Sequence, residues 1–156
     1  MSLDLYKSKR NFENTPEPGG ELEYGILSRF VIQRHKASHL HYDLRLEMDG
    51  VLKSWAVPKG PSMNAKDKRL AIHTEDHPVK YLTFQGTIPK GNYGAGEMRI
   101  WDTGTYSIVP KKENDTPSLQ YKQGDIKLNL NGNKLKGQFA LVRTSRGDKK
   151  NQWLLI

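Results

Sequence analysis

The sequence contains no cysteine. A disulfide framework, a thiolate zinc site and a cysteine nucleophile are thereby excluded together, and the chain suits a reducing compartment such as the cytoplasm. It also lacks any apolar run near the ~20 residues a membrane-spanning helix requires. The opening stretch from Met1 to Asn14 is polar and has no signal-peptide core. A soluble, cytoplasmic protein without membrane contact is expected. Strong helical periodicity is scarce as well.

Positive charge, by contrast, is plentiful. Lys and Arg number 25 against 17 Asp and Glu, giving a net charge of +8 and a pI near 9.6. Such a surplus attracts polyanions by counterion release, so nucleic acid is the first partner class to consider. A solvated basic surface would carry the same excess, and charge alone does not separate the two. At 156 residues the chain is one ordinary domain, able to bury about 70% of its unfolded surface without a structural metal.

Short alternating segments bounded by Gly, Pro, Asn and Asp recur throughout, which predicts an all-β fold. The clearest unit is His41 to Met48, then Asp49-Gly50, then Val51 to Val57. Asp-Gly between alternating runs favours a two-residue hairpin turn, because both positions tolerate positive φ. Further strands are expected at Phe30 to Gln33, Leu70 to Thr74, Glu97 to Asp102, Thr105 to Val109, Asp125 to Asn131, Leu135 to Arg143 and Gln152 to Ile156. Their spacing implies a compact antiparallel β-barrel, closed or nearly so. Lys111 to Gln120 is expected to be a loop, and Pro61 to Lys68 is the one place suited to a helical turn. Residues 1–28, with Pro16, Pro18, Gly19 and Gly20, read as an N-terminal arm, draped over the body or mobile; residues 29–156 form the barrel.

Alternation along a strand puts His41, Asp43, Arg45 and Glu47 on one face and Tyr42, Leu44, Leu46 and Met48 on the other. The second face is core. The first supplies a metal ligand, a second ligand and a phosphate clamp. His35 precedes His41 by six residues, across a connection short enough to bring the two rings together. Two imidazoles and a carboxylate leave coordination positions open, as a catalytic metal requires. Any one of these histidines could instead cap a turn, but His35, His39, His41 and Asp43 fall within nine residues of a chain with five histidines. Spacing alone does not choose between His39 and His41.

Lys59, Arg69 and the run His73-Thr74-Glu75-Asp76-His77-Pro78 are the other titratable groups of note. Arginine grips phosphate oxygens in pairs, and histidine can donate a proton to a leaving oxygen. Lys59 and Arg69 taken singly are better explained as surface charge. Gly91-Asn92-Tyr93-Gly94-Ala95-Gly96 is glycine-rich, but no Gly-Lys-Ser/Thr and no helix follow, so a tight turn entering a strand explains it better than a phosphate loop.

Phe30 to Pro61, reading FVIQRHKASHLHYDLRLEMDGVLKSWAVPKGP, resembles the 3'-phosphoesterase module of bacterial DNA ligase D and its stand-alone relatives. The similarity runs on through RLAIHTEDHPVKY (Arg69 to Tyr81), IPKGNYGAGEMRIWDTGTY (Ile88 to Tyr106), LKGQFALVR and WLLI, nearly the whole chain. The resemblance implies a compact β-barrel enzyme dependent on Mn2+, with Co2+ or Zn2+ as substitutes. Such an enzyme removes a 3'-terminal ribonucleoside from the primer strand of a primer-template and hydrolyses the resulting 3'-phosphate during non-homologous end joining. It implies His35, His41 and Asp43 as metal ligands, resolving the choice in favour of His41. Arg45, Lys59 and Arg69 would hold phosphate oxygens, and His77 would stabilise the transition state or act as general acid. Gln33, Glu75 and Tyr81 also match functional positions.

In the arm, Lys9-Arg10-Asn11-Phe12 and Thr15-Pro16-Glu17-Pro18 match the family pattern and mark Arg10 and Glu17 as functional. Asn11 stands where the family usually has Asp, which keeps an acceptor and loses a charge; the ribonucleoside step is expected to be weaker than the phosphatase step. A monomer acting with a ligase or polymerase of the same pathway is expected. Two rival readings have other requirements. A non-haem iron oxygenase would use His41-Tyr42-Asp43 but needs a third ligand from a distant strand and usually a larger barrel, and His73 or His77 is rather close in sequence. A nucleic-acid-binding barrel without catalysis would have no need of the histidine-aspartate cluster.

Overall fold

The computed structural model describes residues 3–20, 28–144 and 151–156. Nine strands dominate: β1 (Arg29–Lys36), β2 (Leu40–Met48), β3 (Val51–Val57), β4 (Arg69–Pro78), β5 (Gly86–Ile88), β6 (Gly96–Ile108), β7 (Asp125–Gly132), β8 (Lys136–Arg143) and β9 (Gln152–Leu155). Eight of them close an antiparallel barrel in the order β1-β2-β3-β4-β9-β8-β7-β6, with β6 pairing back onto β1; β5 adds to the start of β6. Closure removes the unpaired edges that a flat sheet of this size would expose. Among the described residues no helix is long and apolar enough to cross a membrane.

The β2–β3 turn is as the sequence suggests: Asp49 and Gly50 take φ of 54° and 82°, the pairing of positive angles that suits the twist of the flanking strands. Inward residues of all the barrel strands fill its interior, with Phe30, Ile32, Leu44, Leu46, Trp55, Leu128, Leu141 and Trp153 nearly inaccessible. A second apolar cluster lies on the outer face and contains Leu3, Tyr6, Val31, Val51, Leu52, Val79, Tyr81, Phe84 and Met98. Two segments roof that face. One is the arm, whose short helix α1 (Asp4–Ser8) buries Tyr6 completely; the other is the 3-10 turn Val79–Thr83. Strands β1 and β2 are therefore covered on both sides, and their polar outward residues are sealed beneath the roof.

Three local expectations are corrected. The segments 97–102 and 105–109 form one continuous strand, β6. Gly104 permits this: a Cβ there would lie 2.1 Å from the Asn131 carbonyl. The loop expected over Lys111 to Gln120 ends in a helix, α2 (Pro117–Gln123), capped by the Thr116 side chain and closed by Gly124 at φ 76°. Pro61 to Lys68 holds a single turn, Asp67 N–H to Asn64 O at 3.0 Å, and no helix. The outer face of β2 is the expected line of functional groups, with Asp43, Arg45 and Glu47 buried beneath the roof and His41 partly exposed. Of the expected arm, residues 1–2 and 21–27 lie outside the described residues.

Candidate active site

The first requirement for a shared metal site is register, and β1 and β2 supply it. His35 and His41 are direct cross-strand partners, as are Gln33 and Asp43, so the strand alternation puts all of these groups on the outer face. His35 Nδ1 lies 3.2 Å from His41 Nε2 and 3.4 Å from Asp43 Oδ2, while His41 Nε2 is 3.2 Å from Asp43 Oδ1. The far nitrogen of each ring faces a backbone carbonyl: His35 Nε2 donates to Gly94 O at 2.8 Å and His41 Nδ1 to His39 O at 3.2 Å. A carbonyl only accepts, so in the neutral form of each ring the proton sits on the far side and the inner lone pair is available to a cation. Two nitrogen lone pairs and a carboxylate, all within 4.8 Å of one another, repel unless a cation or a proton joins them.

The electrostatics of the site agree. Burial disfavours ionised Asp43, yet hydrogen bonds with His35 and His41 and the charge of Arg45 hold its carboxyl far below the usual range. Burial likewise opposes protonation of His41, and the adjacent Asp43 outweighs it and raises the ring's proton affinity. The donor set of two imidazoles and one ionised carboxylate, with outward N–H groups already anchored, fits a divalent transition metal.

Beside this set stands an ordered cationic wall. Arg45 gives Nε to Gln33 Oε1 at 2.8 Å, lies 3.5 Å from Asp43 Oδ2, and stacks 4.7 Å from the Tyr81 ring centroid. Gln33 is wholly buried and donates to Tyr81 O and Phe84 O at 2.9 and 3.0 Å, tying the roof to β1. From the arm, Arg10 bonds Glu17 at 2.8 Å and lies 3.4 Å from both Glu75 and His77 Nε2. Glu17 also accepts from the Tyr81 hydroxyl at 2.7 Å; burial chiefly, with Glu17, keeps that phenol protonated against the opposing charge of Arg45. His77 Nδ1 donates to Glu75 O at 2.9 Å. Burial, then the charges of Arg45 and Arg10, hold its proton affinity well below the ordinary value. A bulge in β4 sets two residues, Glu75 and Asp76, against Lys53 alone, and this redirects the strand between Thr74 and His77.

A family comparison gives this arrangement its context. Residues 33–143 match the DNA ligase D 3'-phosphoesterase domain. The chain is 46% identical, over 99% of its length, to the multifunctional non-homologous end joining protein LigD of Pseudomonas aeruginosa, and 48% identical, over 97%, to that of Mycolicibacterium smegmatis. It covers 18% and 20% of those relatives, about a fifth of their length. The chain belongs to the DNA ligase D 3'-phosphoesterase domain family.

The phosphoesterase domain gathers nine of the twelve residues expected from the sequence around one cavity of about 330 Å³: Arg10, Glu17, His35, His41, Asp43, Arg45, Glu75, His77 and Tyr81. Gln33 lies behind that wall and holds Arg45. Lys59 and Arg69 do not line the cavity. Lys59 is exposed after β3, and Arg69 opens β4 with a 3.4 Å contact to Asp67. His39 is exposed and contributes its carbonyl. His73 bonds Tyr121 at 2.9 Å, against Trp55 and Trp153, and joins no metal-type cluster among the described residues. The iron-oxygenase reading needed a third ligand from a distant strand; the third group of this cluster is His35, from the adjacent strand β1. Sequence reasoning missed Tyr93 and the carbonyl of Gly94, both cavity-lining, because it treated residues 91–96 only as a turn.

Proposed function

We propose that this domain is a divalent-metal-dependent phosphoesterase acting on DNA 3' ends, with Mn2+ as cofactor. It removes a terminal ribonucleoside to leave a 3'-phosphate and hydrolyses that phosphate to a 3'-hydroxyl, on primer-templates met in strand-break repair by end joining. The observation that carries the reading is the convergence of three inward-facing ligand atoms from His35, His41 and Asp43 on a cavity also walled by Arg45, Arg10 and His77. The cation, when bound, supplies charge neutralisation and Lewis-acid polarisation at a phosphoryl oxygen.

The protein groups do the rest. Arg45, held by Gln33, clamps a non-bridging oxygen from one side, and Arg10 does so from the arm, where charge grows in the transition state. His77 enters neutral, its Nε2 lone pair facing an Arg10 N–H. An incoming phosphate anion raises its proton affinity, so that Nε2 takes up a proton from solvent and passes that proton to the leaving oxygen. Glu17 and Tyr81 keep Arg10 and the roof in place, and Glu75 holds Lys9 and Arg10 over the opening. Lys59 and Arg69 meet strand phosphates beyond the cavity. Residues 1–28 serve as a working part of the site, and residues 29–156 as the barrel that carries it. The domain acts as a monomer alongside a ligase or polymerase of the pathway.

The test is a labelled primer-template ending in one ribonucleotide or in a 3'-phosphate, incubated with Mn2+. Conversion that disappears with chelator and with His41→Ala is expected. Tight binding with neither end converted would leave a nucleic-acid-binding barrel as the better description.

A further inference from the structure

We infer that Tyr93 forms a subsite for the nucleobase of the 3'-terminal nucleotide, adjoining the phosphate-processing cavity; the inference rests on the reading of that cavity as a 3'-end site. Tyr93 is a half-exposed aromatic, 49% accessible, in the β5–β6 connection. Its side chain lines both the cavity of the metal-type cluster and a neighbouring open groove of about 570 Å³, which also share Thr74 and Glu75. It therefore stands on the partition between the place where phosphate chemistry is set up and the place where the rest of a nucleotide must go.

The loop that carries it is fixed at both ends. Two successive turns, Asn92 N–H to Pro89 O at 3.2 Å and Ala95 N–H to Asn92 O at 3.1 Å, bracket Tyr93. Gly94 accepts from His35 Nε2, coupling the loop directly to a ligand of the cluster. Gly96, at φ 137°, packs where a Cβ would strike the Lys36 carbonyl, and the adjoining Glu97 pairs with Lys36, which seats the end of the loop on β1. Lys9 Nζ sits 4.5 Å from the Tyr93 ring centroid and the Arg10 guanidinium 5.4 Å from it. An exposed, immobilised aromatic ring flanked by cations is the usual platform for an unpaired base, and it is sequence-tolerant because every base has a π-face. A terminal base has a single stacking neighbour and leaves the duplex most cheaply.

Two readouts test the subsite. In the kinetic one, primers with a 3'-phosphate on a normal terminal nucleotide are compared with primers whose terminal nucleotide is abasic. The wild type is expected to prefer the base-bearing end in kcat/KM by about 5- to 150-fold; Tyr93→Ala is expected to lose that preference and Tyr93→Trp to keep it. A Tyr93→Ala variant that lowers both ends by one factor, or neither, overturns the subsite. In the second, 2-aminopurine at the 3' terminus is titrated with protein in chelator, so that no turnover is needed. Fluorescence quenching by wild type and Tyr93→Trp, absent with Tyr93→Ala, is expected; equal quenching by all three overturns the inference. Quenching that depends on Tyr93 without conversion of either end under Mn2+ would remove the proposed activity and leave the subsite standing.

Discussion

Replacing Gln33 with leucine isolates the link between the roof and the phosphate clamp. Leucine matches the buried volume but removes two donors, which serve Tyr81 O and Phe84 O, and the acceptor of Arg45 Nε. Each group left buried and unsatisfied costs about 1–3 kcal/mol. Three such groups, with some relief where the cavity admits water, give about 3–6 kcal/mol. That is a large share of the 5–15 kcal/mol typical of a whole domain, and at about 2–4 °C per kcal/mol it lowers Tm by about 6–24 °C. Arg45 keeps its contacts with Asp43 and the Tyr81 ring, so the guanidinium stays nearby but loses its fixed direction. A clamp misplaced by about 1 Å costs on the order of 100-fold in turnover. The assay pairs thermal unfolding with 3'-phosphatase kinetics under saturating Mn2+. Metal binding should persist, since His35, His41 and Asp43 are untouched. A variant that unfolds within about 2 °C of wild type and retains full kcat would refute the assignment of Gln33 as the residue that aims Arg45.

Other expectations follow from the same geometry. At 100 times its Kd, Mn2+ should stabilise the folded protein by about 2.7 kcal/mol, a Tm rise of about 5–11 °C, and Asp43→Asn should abolish the rise; an undiminished rise would place the ion elsewhere. His73 has its proton affinity lowered by burial first, and by Lys53 and Arg143, against the opposing Asp76. The unfolded chain then binds more protons, so His73 contributes stability that is present above about pH 6.5 and lost as pH falls. Metal-free wild type should accordingly lose Tm more steeply than His73→Gln between pH 7 and 5, and parallel curves would contradict this. Asn11→Asp should raise ribonucleoside removal relative to phosphate hydrolysis on the same primer. Because Asn11 is exposed and its Oδ1 accepts from Glu13 N–H at 3.1 Å, Tm should change little, and an unchanged ratio would detach this position from the first step.

What the sequence made legible was local and periodic. The Asp49-Gly50 turn and the alternation in β2 were readable because both are set by neighbours within a few residues, and together they fixed which face His41, Asp43 and Arg45 share. The strand β6 was misread as two because Asp102 and Gly104 are turn residues by composition. In the fold, Asp102 instead accepts from the backbone of Asn133, Lys134 and Leu135, clamping the β7–β8 turn from a distance. The signals for α2 were present in Thr116, Pro117 and Gly124, but a polar stretch ahead of them hid the cap. The roof was the least legible part. Its attachment depends on single residues, Tyr6, Arg10, Glu17 and Gln33, that meet only through tertiary contacts, and no periodicity announces them.

That roof bears on how the cavity handles phosphate. Arg10, Glu17 and Glu75 have side chains only 4%, 0% and 3% exposed, and buried ion pairs of this kind add little stability over apolar packing. Their value has to be sought in the field they create. Counting the charged groups that line the cavity, Arg10 and Arg45 stand against Asp43, Glu17 and Glu75, which leaves one net negative charge with the histidines neutral. With Lys9 also bonded to Glu75 at the opening, a phosphate dianion finds no net attraction in that field, despite two arginines. A divalent cation on His35, His41 and Asp43 turns the sum to one net positive charge. Ion and phosphate then favour each other's binding, and by linkage each strengthens the other equally. On the proposed reading, the carboxylates of the arm and of β4 would thus withhold the clamp from phosphate until the cation is in place, while holding Arg10 in position.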